Sequence, residues 1–416
     1  MASSSVQDIA GALGKRDIKR AEVLIARHMR SDLNTTDRAD VLLMRARARL
    51  LGGRPDDALS DLRDALSYQP ALPEAPSFLE LRADVHMARF ELASVGFADR
   101  SDTAQAMQDY QKVLTLAPTW PNRGWVRYQM GRIALSENRT EAALADLTSA
   151  LVSPSTIPAL SAYCYERLGF VAFFDQRNLV EALAWLDRAV ATYPADEPRV
   201  WLAEVHTLRS RVLRESRDYA QALEAADHAL KIASGCGAAG RDALADAALF
   251  AAEIANELPG RERSVIAYVH QFTGASKKPL GIDVTWSRSQ ELLGDAYLRA
   301  GLVAEALEAY QAALRYNPYH PWELKLYFQI ARCYYQLQDY SRSANAVTVL
   351  LRSADSDEPI LRDFRVHALL GNALYALGDY ANAANAYRAA LLHAPDHADG
   401  LENLQRYYRD AVDRSQ

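Results

Sequence analysis

The sequence predicts an all-α fold, a solenoid of antiparallel helix pairs, and three observations carry that expectation. Residues 287–320, 364–397 and, more loosely, 324–357 lie over one another at a 34-residue length. The same residue types recur at the same places. Leu293-Gly294, Tyr297, Gly301, Ala306, Tyr310, Ala313 and Pro318 of the first stretch answer to Leu370-Gly371, Leu374, Gly378, Ala383, Tyr387, Ala390 and Pro395 of the second. No stretch of the chain reads convincingly as a strand.

The pattern extends outward with decreasing fidelity. Residues 2–34 read as a degenerate first pair that turns at 14–17. Residues 39–72 carry Ala46, Gly53, Ala58, Leu62, Ala65 and Pro70. Residues 76–118 form a pair whose two helices are separated by surplus residues around 90–103. Residues 124–157 carry Met130-Gly131, Ala143, Leu147 and Ala150. Residues 163–196 carry Leu168-Gly169, Ala182, Leu186 and Ala189, with one extra residue in the turn near Asn178. Residues 203–236 keep Leu213, Tyr219, Ala222, Ala226 and Ala229, and 241–273 read as a pair broken at Pro259-Gly260. The three clear repeats follow, then a single closing helix over 399–414. The expected total is about nine or ten pairs plus that helix, with atypical ends because a terminal unit has one face without a neighbour.

Packing explains the residue types. Two helices approach closely only where side chains are small, the part expected of Gly294 with Ala306 and of Gly371 with Ala383, while Tyr310 and Tyr387 fill the volume between pairs. Pro318 and Pro395 end their helices, because the ring removes a donor and clashes with the preceding turn. The stretch GASKKPLGID at 274–283 is a poor helix. It marks an expected organisation into an N-terminal array at 1–273, a linker at 274–284 and a C-terminal array at 285–416. The shorter break at 353–359 reads as an ordinary loop.

Composition narrows the function classes. The chain has 416 residues, half of them apolar, and a net charge of −6, so the basic excess that drives phosphate binding is missing and no nucleic-acid partner is expected. The first dozen residues lack a basic stretch followed by a long apolar run, and no window approaches the length of a membrane span. The expectation is a cytoplasmic protein with no membrane insertion. Cys164, Cys236 and Cys333 are odd in number, far apart and without a Cys-x-x-Cys, which fits a reducing compartment.

Catalytic, cofactor and metal motifs are not found. There is no phosphate-binding glycine loop, and Gly235-Cys236-Gly237 reads as a helix end. His393 and His397 flank Pro395 at a helix end and would not share a face as metal ligands do. Carboxylates such as Glu166, Glu253 and Asp295 have no evident paired partner. No enzyme activity, no cofactor and no metal site are expected.

With its 34-residue unit and these positions, the sequence resembles the tetratricopeptide repeat (TPR) family. The resemblance implies a right-handed superhelical solenoid whose first helices line a concave groove that takes a protein or peptide segment. Carried onto this chain, the groove positions are Arg132, Phe170 and Phe173, then Arg211 and Arg214, then Asp295, Arg332, Tyr335, Asn372 and Tyr375. Arginine and aromatic residues there suit binding hot spots. The clamp by which some members hold a carboxyl terminus needs a Lys where Ala368 stands, so Asn372 alone matches it. The expected function is a non-catalytic scaffold or assembly factor. The alternative is a peptide- or small-ligand-sensing regulator acting on a partner in trans.

Overall fold

Helical hairpins closed by a left-handed residue build this chain. The computed structural model describes residues 4–31, 33–93, 100–354, 358–395 and 400–416. Those residues hold 21 α-helices, three short 3-10 segments and no strand. Part of the expected surplus at 90–103, the centre of the break at 353–359, His397 and the expected start of the closing helix lie outside the described residues.

The chain divides between Glu197 and Pro198 into two compact units. In the first, α1 (Ser4–Gly14) pairs with α2 (Ile18–His28), α3 (Thr35–Leu51) with α4 (Pro55–Tyr68), α5 (Pro76–Leu92) with α6 (Arg100–Leu116), α7 (Arg123–Ser136) with α8 (Thr140–Leu151), and α9 (Leu160–Phe174) with α10 (Leu179–Thr192). In the second, the pairs are α11 (Val200–Glu215) with α12 (Tyr219–Gly235), α13 (Arg241–Asn256) with α14 (Glu262–Ala275), α15 (Val284–Arg299) with α16 (Val303–Tyr316), α17 (Glu323–Gln336) with α18 (Tyr340–Ser353), and α19 (Phe364–Ala376) with α20 (Tyr380–His393). Helix α21 (Leu401–Ser415) closes the second unit on α20. The stretch expected as a linker, 274–284, lies inside the second unit, between helices α14 and α15 that pack on each other.

The described turns inside the hairpins share a left-handed residue. At Gly301 and Gly378 the backbone turns left-handed, with φ of 78° and 79°. The amide of the next residue then returns to a carbonyl five residues back, Leu302 to Tyr297 at 2.9 Å and Asp379 to Leu374 at 3.0 Å. This satisfies carbonyls that the helix end leaves open. In other hairpins the left-handed position is held by Arg16, Asn138, Arg177, Arg217 or Gln338, at φ of 54° to 62°. In several turns the following residue caps the second helix. Asp17, Asn178, Asp218, Asp339 and Asp379 each accept from the amide three residues on.

Between paired helices the fit is tighter than small-on-small. A Cβ at Gly294 would stand 2.6 Å from the Tyr310 ring, and one at Gly371 the same distance from the Tyr387 ring. At Gly131 and Gly169 the neighbour is Leu147 or Leu186, at 3.0 and 2.9 Å. The eighth residue of the repeat therefore faces the twenty-fourth, and the ring, rather than Ala306 or Ala383, comes nearest the glycine. The alanine position contributes its backbone instead, since the carbonyls of Ala143 and Ala182 lie 3.4 and 3.3 Å from such a Cβ. Where serine stands at either place its hydroxyl bonds across the crossing, Ser210 to the Ala222 carbonyl at 2.7 Å and Ser343 to that of Ala331 at 2.9 Å. Tyr110, Tyr310 and Tyr387 are among the largest fully buried side chains.

A left-handed conformation costs an ordinary L-residue about 1–2 kcal/mol, and glycine almost nothing. Gln338→Gly should accordingly stabilise the second unit by up to about 1 kcal/mol, and Gly301→Ala should destabilise it by about 1 kcal/mol. Urea midpoints check both, and shifts of the opposite sign would contradict the turn geometry.

Candidate functional site

Contacts beyond successive helices identify the inner side of each unit. In the first unit α1 touches α3, α3 touches α5 and α7 touches α9. In the second α11 touches α13, α13 touches α15 and α17 touches α19. All of these join first helices to first helices, so each unit curves around its row of first helices. Within each unit, outward positions on those helices share one surface.

The ninth residue of the repeat decides what that surface offers. Where the twenty-fourth residue is tyrosine, its hydroxyl reaches back and the ninth residue is an acceptor. Tyr110 donates to Asp84 at 2.5 Å, Tyr310 to Asp295 at 2.6 Å and Tyr387 to Asn372 at 2.9 Å. Where the twenty-fourth residue is Leu62, Leu147, Leu186, Ala226 or Val347, no hydroxyl arrives, and the ninth residue is Arg47, Arg132, Phe170, Arg211 or Arg332. Each of those five keeps part of its side chain exposed. Asp295 and Asn372, expected in the groove lining, thus spend an oxygen on their own hairpin.

The remaining expected residues sort in the same way. Arg132 pairs with Glu91 of α5 at 2.7 Å, receives orientation from Gln129 at 3.0 Å and lies 5.7 Å from the Tyr128 ring centre. Arg332 repeats this with Gln329 at 2.8 Å. Phe170 is half-buried, 4.4 Å from the Phe174 ring. Phe173, at 5% exposure, is packed into the core and has no surface to offer. Tyr335 is half-buried against Tyr340. Tyr375 donates to Asp410 of α21 and sits against Tyr407, so the closing helix engages it.

In the second unit a chain of charges runs across four first helices. Arg211 and Arg214 of α11 lie over the Phe250 ring of α13, at 5.2 and 5.5 Å. Arg214 pairs with Glu253 at 3.0 Å, and Arg288 of α15 stands 3.5 Å from the same carboxylate. Arg288 also pairs with Glu291 at 2.6 Å, and His320 and Lys325 approach Glu291 at 3.4 and 3.5 Å. Glu291 is 1% exposed, and a charge so buried persists only when it is paired. Burial holds His320 below its ordinary range. Arg288, His320 and Lys325 were not expected at this surface. Their sequence signal is the Arg288–Glu291 spacing of three on one helix face.

The first unit places a carboxylate at the same fifth position, Glu80. It accepts from the Trp120 indole at 2.7 Å and from the Asn122 amide. Asp84, one turn on, accepts from Tyr110 and from the Trp125 indole at 3.0 Å. Desolvation, and then the neighbouring Glu80, push the Asp84 carboxyl up to about 7. Cys164 and Cys333 are buried and their thiols are pushed up to about 12 and about 11, so neither is a ready nucleophile. Cys236 follows α12 as its cap, in line with the helix end read at Gly235-Cys236-Gly237.

Models of the tetratricopeptide repeat match residues 364–397 and, separately, 43–121, 128–197 and 291–359, together more than half of the chain. No curated protein matches the sequence. Among solved structures, a tetratricopeptide repeat protein from Parabacteroides merdae is similar at 12% identity, covering 70% of this chain and 98% of its own, with a TM-score of 0.38. The C-terminal part of a TPR repeat-containing protein from Cytophaga hutchinsonii is 12% identical over 68% of this chain and 98% of its own, with a TM-score of 0.45. YrrB, described as a TPR protein with an unusual peptide-binding site, is 14% identical over 50% of this chain and 92% of its own, with a TM-score of 0.39.

Asp84 yields a pH test. Its carboxyl titrates near 7 in the folded chain against an ordinary 3.8, so the native state holds a proton that the unfolded state has lost between those values. Its contribution to stability is therefore present at low pH and is lost as pH rises towards 7. Asp84→Asn, which installs the group that Asn372 supplies in the last hairpin, should remove this component. Denaturant midpoints at pH 5 and pH 8 should show a smaller loss in the variant than in the wild type. Equal losses would mean that Asp84 is already ionised at pH 5.

Proposed function

This chain belongs to the tetratricopeptide repeat family, and on that premise we propose that it is a non-catalytic scaffold holding a segment of a partner protein along a row of first helices. One observation carries the reading. In five hairpins whose twenty-fourth residue is not tyrosine the ninth position is arginine or phenylalanine, so large side chains suited to recognition recur on the first helices of each unit. Arg132 and Arg332 are oriented by Gln129 and Gln329, and Arg211 and Arg214 rest on Phe250. Side chains ordered before binding lose less freedom when a partner arrives. Arginine is also enriched among the residues that dominate interface energies.

The expected contact residues are Arg132, Phe170, Arg211, Arg214, Arg332 and Tyr335. Asp295, Asn372 and Tyr375 contribute through whatever their intramolecular bonds leave open, and Phe173 supports the surface from below. An extended or helical segment with carboxylates spaced to meet successive first helices suits this lining, because guanidinium and carboxylate form paired hydrogen bonds.

Purification of the full chain from its native host, with mass spectrometry of what comes with it, tests the reading. A protein recovered in stoichiometric amount is expected, and Arg211→Ala and Arg332→Ala should each weaken it at least about tenfold, or roughly 1.4 kcal/mol. Melting temperature should stay nearly unchanged, since Arg211 is exposed and Arg332 half-exposed. A peptide or metabolite recovered instead would favour the sensor. Variants that bind as the wild type does would remove these arginines from the surface.

A further inference from the structure

Two neighbouring loops of the second unit expose large apolar side chains that nothing in the fold covers. Leu280 is 105% exposed, Ile282 64% and Val284 63%, at the junction of α14 and α15. Tyr319 is 82% and Trp322 60% exposed, at the junction of α16 and α17. The Asp283 amide donates to the Tyr316 carbonyl at 2.8 Å, which fixes the first loop beside the end of α16 and hence beside the second loop. Both loops join a second helix to the next first helix, so they lie on one edge of the unit. Isolated exposed residues need no explanation, but five on two adjoined loops do.

The second loop is held in shape. The Tyr319 amide donates to Asn317 Oδ1 at 3.1 Å, and the Trp322 amide to His320 Nδ1 at 3.0 Å. Its aromatic rings are thus presented outward by a locked backbone. Lys277 and Lys278 precede the first tip and are exposed, and no ion pair or hydrogen bond to either is found among the described residues. Asp283, the acid of that loop, is turned inward to cap α15 through the Trp286 amide at 2.8 Å. The tip therefore offers two cations and an apolar end.

We propose that this edge docks on an anionic lipid surface. A protein partner would have to supply a separate pocket for each projecting tip, whereas a bilayer interface receives separate side chains without prior shape. Leucine and isoleucine enter its acyl boundary, tryptophan and tyrosine settle at headgroup level, and lysines are drawn to anionic headgroups. Apolar insertion and basic attraction are the two signals that together give stable but reversible attachment. Among the described residues no helix is long and apolar enough to cross a membrane, so the attachment is peripheral.

Co-sedimentation of the full chain with vesicles tests this, using phosphatidylcholine alone and phosphatidylcholine with roughly one third phosphatidylglycerol. The wild type should pellet with the anionic vesicles, less so at high salt, and only weakly with the neutral ones. Leu280→Asp with Ile282→Asp should reduce binding at least tenfold, and Lys277→Glu with Lys278→Glu at least severalfold. Circular dichroism and melting temperature should remain those of the wild type, since all four side chains are outside the core. A wild type that ignores both vesicle types overturns the proposal, as does vesicle binding that survives both double substitutions. If the loop variants instead lose a co-purified protein while vesicles are ignored, the edge is a protein interface and the lipid assignment fails.

Discussion

The close crossing of two helices within each hairpin is the constraint on which the rest of this structure depends. Where the eighth repeat residue is glycine, it meets the twenty-fourth at a distance where an added methyl group has little or no room. That contact fixes how near the helices lie, and so what the outer face of the first helix must do. With tyrosine at the twenty-fourth position, as at Tyr310 and Tyr387, the ring fills the space over Gly294 and Gly371 and its hydroxyl emerges beside the ninth residue. A buried hydroxyl left without a partner is costly, so an acceptor must stand there. With leucine, alanine or valine instead, the ninth residue is released for surface work. Ala83 opposite Tyr110 departs from the glycine rule, and it does so in the hairpin whose turn carries surplus residues.

A second consequence concerns buried charge. Glu80 and Glu291 stand at the same place in their hairpins, each nearly inaccessible, yet they are paired differently. Glu80 takes neutral donors from Trp120 and Asn122, whereas Glu291 draws the cations Arg288 and Lys325, with His320 beside them. Removing one partner from such a cluster leaves an unbalanced charge, so the cluster itself is weak evidence of net stability. It also holds arginines of successive first helices in defined places.

Much of this was legible in the sequence. The 34-residue repetition located the pairs, and turns were legible at 14–17, near Asn178 and at Pro259-Gly260. What misled was treating positions singly. Gly294 with Ala306 reads as a small pair, but the nearer neighbour is an aromatic ring sixteen residues on. Asp295 and Asn372 read as groove lining, although the tyrosine at the end of the same repeat already implied an acceptor; reading the ninth and twenty-fourth positions together would have separated them from Arg132, Arg211 and Arg332. Phe173 reads as an anchor because helical spacing alone does not tell an outward aromatic from one that packs. The division at Glu197 lies in the segment YPADEPR, where two prolines were a signal no weaker than the glycines and lysines at 274–283.

The account stands on the coupling between the eighth and twenty-fourth positions, and a double-mutant cycle measures it directly. Gly294→Ala, Tyr310→Leu and the pair together would be compared by urea denaturation of the full chain. The chain's own Ala46 with Leu62 shows that the combined substitution is a natural solution of the same geometry. The account predicts that alanine at 294 is costly beside tyrosine and far less so beside leucine, giving an interaction energy of at least about 0.5 kcal/mol in the relieving direction. Additive costs would contradict it, because the two positions would then not be what sets the distance between the helices.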